Sequence, residues 1–191
     1  MRTFIAIEIE ESIRAELAQA QAGLRPVEGI KWVEPQKFHL TLRFLGEVDQ
    51  GTVSRLVNEI GIIAADTAHF TLGFAGAGAF PNERRPRVVW IGLDRGLEPL
   101  FALAQRVEAA CQASGFAAEE RPFSAHLTLG RAKGVISAPT LQASLEALSG
   151  RHFGEQEINH ITIMESTLTR SGPFYRPVAK LALKGSGAGE T

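Results

Sequence analysis

The 191-residue sequence predicts an α+β protein of two pseudo-symmetric lobes, each an antiparallel sheet with flanking helices. Three observations carry that expectation. Short β-branched and aromatic runs alternate with amphipathic helical runs at unequal spacing, which suits mixed layers better than one long parallel sheet. The succession strand, helix, strand, helix, two strands is followed by helix, strand, helix, two strands, so one block recurs. The tetrapeptide His-Leu-Thr-Leu occurs twice, at residues 39–42 and 126–129, nearly half the chain apart.

Residues 2–9, "RTFIAIEI", are rich in strand formers. A helix over 10–23 places Ile13, Leu17 and Ala20 on one face, with Ser12 as cap and Gly23 as stop. "IKWV" is a brief extended piece before Pro35, and residues 39–45 form a strand ended by Gly46. The helix over 52–63 turns Leu56, Val57, Ile60 and Ile63 to one side. Residues 70–75 alternate as a strand, "GAGAFPNERRPR" is expected to be a Gly/Pro-rich loop, and 88–93 form a strand. Leu97, Leu100, Ala104, Val107 and Cys111 mark a long amphipathic helix, with Cys111 in the core. A strand over 123–129 carries the second tetrapeptide, and a helix follows Pro139 with Leu141, Leu145 and Leu148 inward. Residues 153–168 are mostly strand, and 175–183 form the last one. With no low-complexity linker, residues 1–184 are expected to act as one bilobal unit, and 185–191, "GSGAGET", as a flexible tail.

Composition narrows the function classes. Twenty Lys plus Arg against twenty-one Asp plus Glu give a net charge of −1, which argues against a surface built to grip long nucleic acid. A single cysteine rules out an internal disulfide framework and a Cys-based zinc cluster, and suits a cytoplasmic home. The opening residues turn acidic by Glu8, too early for a secretory signal, and no apolar run approaches the ~20 residues a membrane helix needs.

Within each tetrapeptide, strand periodicity puts His and Thr on one face and the two leucines on the other. The leucines anchor the strand, while the imidazole and hydroxyl stand about 7 Å apart at the backbone. Two such pairs supply what displacement at a phosphodiester needs. One histidine acts as base and another as acid, and the hydroxyls hold non-bridging oxygens. A single copy on its own is more often a half-buried strand with a solvated polar face. A two-histidine metal site is a weaker reading, because no Cys, Asp or Glu sits at ligand spacing. His69, His152 and His160 lack a matching pattern and are expected on the surface or in loops.

With these motifs, the ordered set "RTFIAIEI", "WVEPQKFHLTLRFLGEV", "FPNERRPRVVWIGL", "RPFSAHLTLGRAK" and "STLTRSGPFYRPV" resembles the 2H phosphoesterase superfamily. More narrowly, it resembles the bacterial and archaeal RNA 2′,3′-cyclic phosphodiesterases, historically called 2′-5′ RNA ligases, over nearly the whole chain. The resemblance implies two lobes around a central cleft, each giving one motif. It implies a metal-independent, cofactor-free hydrolase that opens a terminal 2′,3′-cyclic phosphate to a 2′-phosphate, with weak reversible 2′-5′ RNA ligase activity. Water at ~55 M favours hydrolysis unless an RNA hydroxyl is well positioned. The alternative is a non-catalytic module that binds nucleotides or RNA ends in the same cleft.

His39, Thr41, His126 and Thr128 match the family's catalytic positions. By that analogy His126 is the base for water and His39 the acid, an order the residues alone leave open. Partners would be RNA ends or small cyclic nucleotides, with no membrane and no metal, for a protein acting as a monomer. Phe44 matches a position near the terminal base, yet by parity with Leu42 it points to the core unless a bulge re-aims it. Arg131, at the exit of the second motif, could reach a phosphate or simply be a solvated strand-end charge. "ERRPR" at 83–87 could guide RNA or be a solvated loop. One departure is Ala125, where the family usually has proline.

Overall fold

A computed structural model describes residues 1–170 and 172–185. Its strands and helices, in chain order, are β1 (Arg2–Glu8), α1 (Glu11–Leu24), β2 (Ile30–Trp32), β3 (His39–Glu47), α2 (Gln50–Ala65), β4 (Phe70–Phe80), β5 (Val88–Arg95), α3 (Leu97–Ala113), β6 (Leu127–Ala132), α4 (Ala138–Glu146), β7 (His152–Ile158), β8 (His160–Thr169) and β9 (Gly172–Ala182). The strands form a four-stranded sheet, β3-β1-β8-β9, and a five-stranded sheet, β2-β6-β5-β4-β7. Every strand pairing within them is antiparallel. The expected α+β two-lobe architecture is the observed one.

The lobes are not the two halves of the chain. The four-stranded sheet takes β1 and β3 from the first half and β8 and β9 from the end. Helix α1 follows β1 yet lies against β7 and α4 of the other lobe, and α3 follows β5 yet lies against α2 and β3. One buried apolar cluster, including Ile5, Ile7, Leu40, Leu72, Phe74, Leu127, Leu129 and Ile163, runs through both lobes. Two buried glutamines stitch the crossing points. Gln156 on β7 donates to Glu8 O at 2.8 Å and accepts from Glu10 N at 2.9 Å. Gln21 on α1 donates to Val33 O at 2.7 Å and Leu129 O at 2.9 Å. The Gln156 bonds reach backbone groups at the end of β1, and Gln21 adds a second donor to Leu129 O, which also accepts from Val33 N at 2.8 Å.

Several local expectations need correction. Ser12 lies inside α1, whose N-cap is Glu10 without a side-chain cap, and the helix runs past Gly23 to Leu24. Helix α2 begins earlier than its apolar face, because Asp49 caps it by accepting from Thr52 N at 2.9 Å. Strand β3 continues through Gly46 to Glu47. Strand β4 continues through "GAGAF" to Phe80, where a loop was expected. The glycines there serve a close approach. The Trp90 indole occupies the space a Cβ on Gly78 would fill, 2.4 Å from its nearest ring atom. Strand β6 starts at Leu127, so residues 123–126 approach it as extended coil. The run at 153–168 is two strands, β7 and β8, which makes three strands after α4. The expected tail lies outside the described residues apart from Gly185.

Candidate active site

The two motifs carry the same burial pattern. Leu40, Leu42, Leu127 and Leu129 are buried, while His39, Thr41, His126 and Thr128 are half-buried. The leucines therefore root each strand in the core and leave the polar pair on the opposite face. Both strands then bulge at the same step. Thr41 stands opposite Ala6 and Arg43 opposite Ile5, leaving Leu42 as the extra residue. Thr128 stands opposite Trp90 and Gly130 opposite Val89, leaving Leu129 extra. A bulge inverts the parity of everything after it. The fifth residue beyond each histidine, Phe44 in one strand and Arg131 in the other, is thereby turned off the core face. Phe44 is 55% exposed, opposite Phe4, and Arg131 is exposed opposite Val88. The bulge that Phe44 needed to leave the core is present, and Arg131 occupies the equivalent slot.

Each histidine is oriented in the same way. His39 Nδ1 lies 2.8 Å from Lys37 O, and His126 Nδ1 lies 2.9 Å from Ser124 O. A carbonyl only accepts, so Nδ1 carries the proton and donates it, and Nε2 is left as the free lone pair. Aromatic edges wall both rings. Tyr175 meets His39 at 5.3 Å and 89°, and Phe80 meets His126 at 4.9 Å and 88°. Phe4 adds a tilted contact to His39 at 4.9 Å. Burial holds both imidazoles below their ordinary value of 6.5, the carbonyl bonds offset this in part, and the Arg131 charge lowers both further. One guanidinium thus acts on both motifs, and on Tyr175 as well. Strands β3 and β6 approach each other across the two sheets. Glu8, opposite His39 on β1, is occupied by Thr162 at 2.8 Å, Lys180 at 3.0 Å and His160 at 3.2 Å. Among the described residues no group of three or more His, Cys, Asp or Glu could hold a metal ion. Nor is any helix there long and apolar enough to cross a membrane.

Two stretches of the chain, residues 7–90 and 91–175, each match the LigT like Phosphoesterase family, one motif in each. The protein belongs to the LigT-like phosphoesterases. An RNA 2′,3′-cyclic phosphodiesterase of Archaeoglobus fulgidus is 37% identical over 176 residues, 92% of this chain and 97% of that one. A solved Thermus thermophilus structure superposes with a TM-score of 0.83 at 30% identity, covering 98% of this chain and 100% of that one. E. coli LigT in complex with 3′-AMP gives a TM-score of 0.79 at 30% identity, covering 95% and 97%.

In this LigT-like phosphoesterase the first motif also holds the approach to the second. Arg43, 7% exposed beside the bulge, reaches out of β3. Its guanidinium donates to Ala117 O and pairs with Glu119, both on the segment between α3 and β6, and with Glu108 on α3. The Arg43 Nε to Glu108 Oε2 contact of 2.9 Å is an ion pair without hydrogen-bond alignment. The corresponding residue in the second motif is Gly130, where a Cβ would meet Ile30 at 2.6 Å and Trp32 at 2.8 Å. β2 covers β6 there, whereas β3 is an edge strand free to place an arginine. Sequence reasoning missed Arg43, Tyr175, Phe4 and Phe80. The odd charge inside an apolar strand was the available signal for Arg43, and the three aromatics carried none, since each also reads as core.

The remaining residues fall outside the cleft chemistry. Cys111 is fully buried, and burial pushes its thiol up to about 11. His69 and His152 pair with Glu157 at 3.3 Å and Asp94 at 2.9 Å. His152 is exposed, as expected of a surface residue, although it opens β7, and His160 opens β8 half-buried rather than lying in a loop.

The shared electrostatics make a sharp test. Replacing Arg131 by glutamine removes a charge that disfavours both imidazolium forms, so both histidines should titrate at higher pH, still below 6.5 because burial remains. Side-chain NMR titration reads this directly, and movement of only one histidine would show that Arg131 does not sit between the motifs. The sign for stability is fixed too. Depressed native values mean the unfolded chain binds more protons as pH falls. These groups leave stability level above about pH 6.5 and erode it as pH drops through the native values.

Proposed function

We propose that this protein is a metal-independent RNA 2′,3′-cyclic phosphodiesterase that leaves a 2′-phosphate. The observation that carries the proposal is the pair of identically held histidines, each with Nδ1 on a carbonyl and Nε2 left free, two residues before a half-buried threonine. Relatives bearing that enzyme name cover nearly the whole chain, which supports the same reading.

The cyclic phosphate sits between Thr41 and Thr128, whose hydroxyls donate to non-bridging oxygens, with Arg131 as the charged donor. His126 Nε2 takes a proton from water as the water oxygen bonds to phosphorus. The P–O3′ bond breaks, and His39 Nε2 gives its proton to O3′, yielding a 2′-phosphate and a free 3′-hydroxyl. Against His39, Phe4 and Tyr175 pack on the ring, whereas the His126 bond lies at the exposed side, which suits His126 to activating water. Both Nε2 atoms are unprotonated in the free protein at neutral pH, so the acid acquires its proton as the anionic substrate binds and raises its affinity for one. Phe44 offers the terminal base a stacking face. The same step with an RNA 5′-hydroxyl in place of water, its proton taken by His126 and O3′ again leaving, gives weak 2′-5′ joining.

A short RNA with a 2′,3′-cyclic phosphate end, incubated in EDTA, tests this. Full conversion to a 2′-phosphate is the expected result. A 3′-phosphate product, or loss of turnover with EDTA that returns with metal, would overturn the scheme, and binding without turnover would point to the non-catalytic module.

A further inference from the structure

The proposed chemistry uses only the terminal nucleotide, yet the site face continues past it. Trp90 stands directly opposite Thr128 across β5 and β6 and shares its face. Phe80 bridges the two regions, its ring 4.9 Å from His126 and 5.1 Å from Trp90. Beyond it lies a pocket of about 600 Å³ lined by Gly78, Asn82, Glu83, Arg84, Trp90 and Gln142 among others. That volume falls within the range that encloses small ligands.

The lining is rich in unused donors. Trp90 Nε1–H is buried and has no partner among the described residues, a state native proteins rarely leave unanswered. Asn82 Oδ1 already accepts from Arg84 N and Arg85 N, both at 3.0 Å, so its amide nitrogen is the end left to donate. Arg84 forms no ion pair among the described residues, and it belongs to the basic "ERRPR" stretch that the terminal chemistry leaves idle. Glu83 adds one acceptor. An acceptor-rich planar group with an adjoining anion matches this set, and a ribonucleotide has both. Resting on the activity proposed above, we infer that this pocket is a subsite for the nucleotide preceding the cyclic phosphate. The base occupies the indole side, and the connecting phosphodiester meets Arg84.

The experiment compares kcat/KM for 2′,3′-cyclic AMP with that for a diadenylate ending in a 2′,3′-cyclic phosphate. The wild-type protein should favour the dinucleotide, and Arg84→Gln and Trp90→Phe should each cut that preference by about tenfold, the scale of one lost hydrogen bond to a charged or buried partner. Neither change should alter turnover of the mononucleotide. Equal turnover of the two substrates by the wild type, or equal losses on both in Arg84→Gln, would overturn the subsite while leaving the mononucleotide activity standing. Turnover of neither substrate would instead overturn the parent reading and the subsite with it.

Discussion

Replacing His126 by alanine is expected to lower kcat on a cyclic-phosphate RNA end by about 10²–10⁴-fold, the range spanned by a positioned acid–base group. His39→Ala should fall in the same range. The double variant should lose less than the product of the two, because groups acting as a unit are not additive. Truncating either imidazole leaves its strand rooted, since Leu40, Leu42, Leu127 and Leu129 do the packing. Folding, followed by thermal melting, should therefore hold while turnover collapses. Full activity in either variant would end the acid–base scheme. The pH profile supplies a further check. Both imidazoles lie below their ordinary value in the free protein, so the kcat/KM profile should turn over on the acid side of 6.5 when the base protonates.

Arg43→Leu should be the most damaging change away from the reacting atoms. It leaves Glu108 without its cation and releases Ala117 O and Glu119. Breaking a buried pair by removing one partner costs about 3–5 kcal/mol. Glu119 is 47% exposed, so a loss of about 2–3 kcal/mol is expected, lowering Tm by roughly 5–10 °C. Activity should fall as well, because the freed segment leads into Ser124, whose carbonyl orients His126. Adding Glu108→Gln to the variant should recover part of the stability by neutralising the stranded carboxylate, and leave the activity loss in place. An unchanged melting curve with wild-type kcat would show that Arg43 is dispensable.

Alternation made the motif strands legible. Leucines two apart, with His and Thr between them, could only split core from cleft, and they do. Alternation also made Phe44 ambiguous, because a bulge is a backbone event written in no single side chain. Its recurrence after Thr41 and after Thr128 became visible only in the pairing registers. The misreading of β4 has a similar root. "GAGAF" has loop composition, but Gly78 is small because the Trp90 indole lies against it, a neighbour brought in by β5. The exchange of α1 and α3 between lobes left no trace either. An amphipathic helix declares that it has a partner, without declaring which.

That exchange bears on how the molecule is made. As the chain leaves the ribosome, β1 and β3 emerge first, but the far side of β1 stays unmatched until β8 has been synthesised, and β8 lacks its outer neighbour until β9 follows. Neither lobe can close on a nascent half. A product of premature termination between the motifs would expose an open strand edge and the apolar face of α1, whose partners α4 and β7 come later in the chain, both inviting aggregation. Complete synthesis, rather than piecewise assembly of two duplicated halves, is the condition under which this repeat protein reaches its fold.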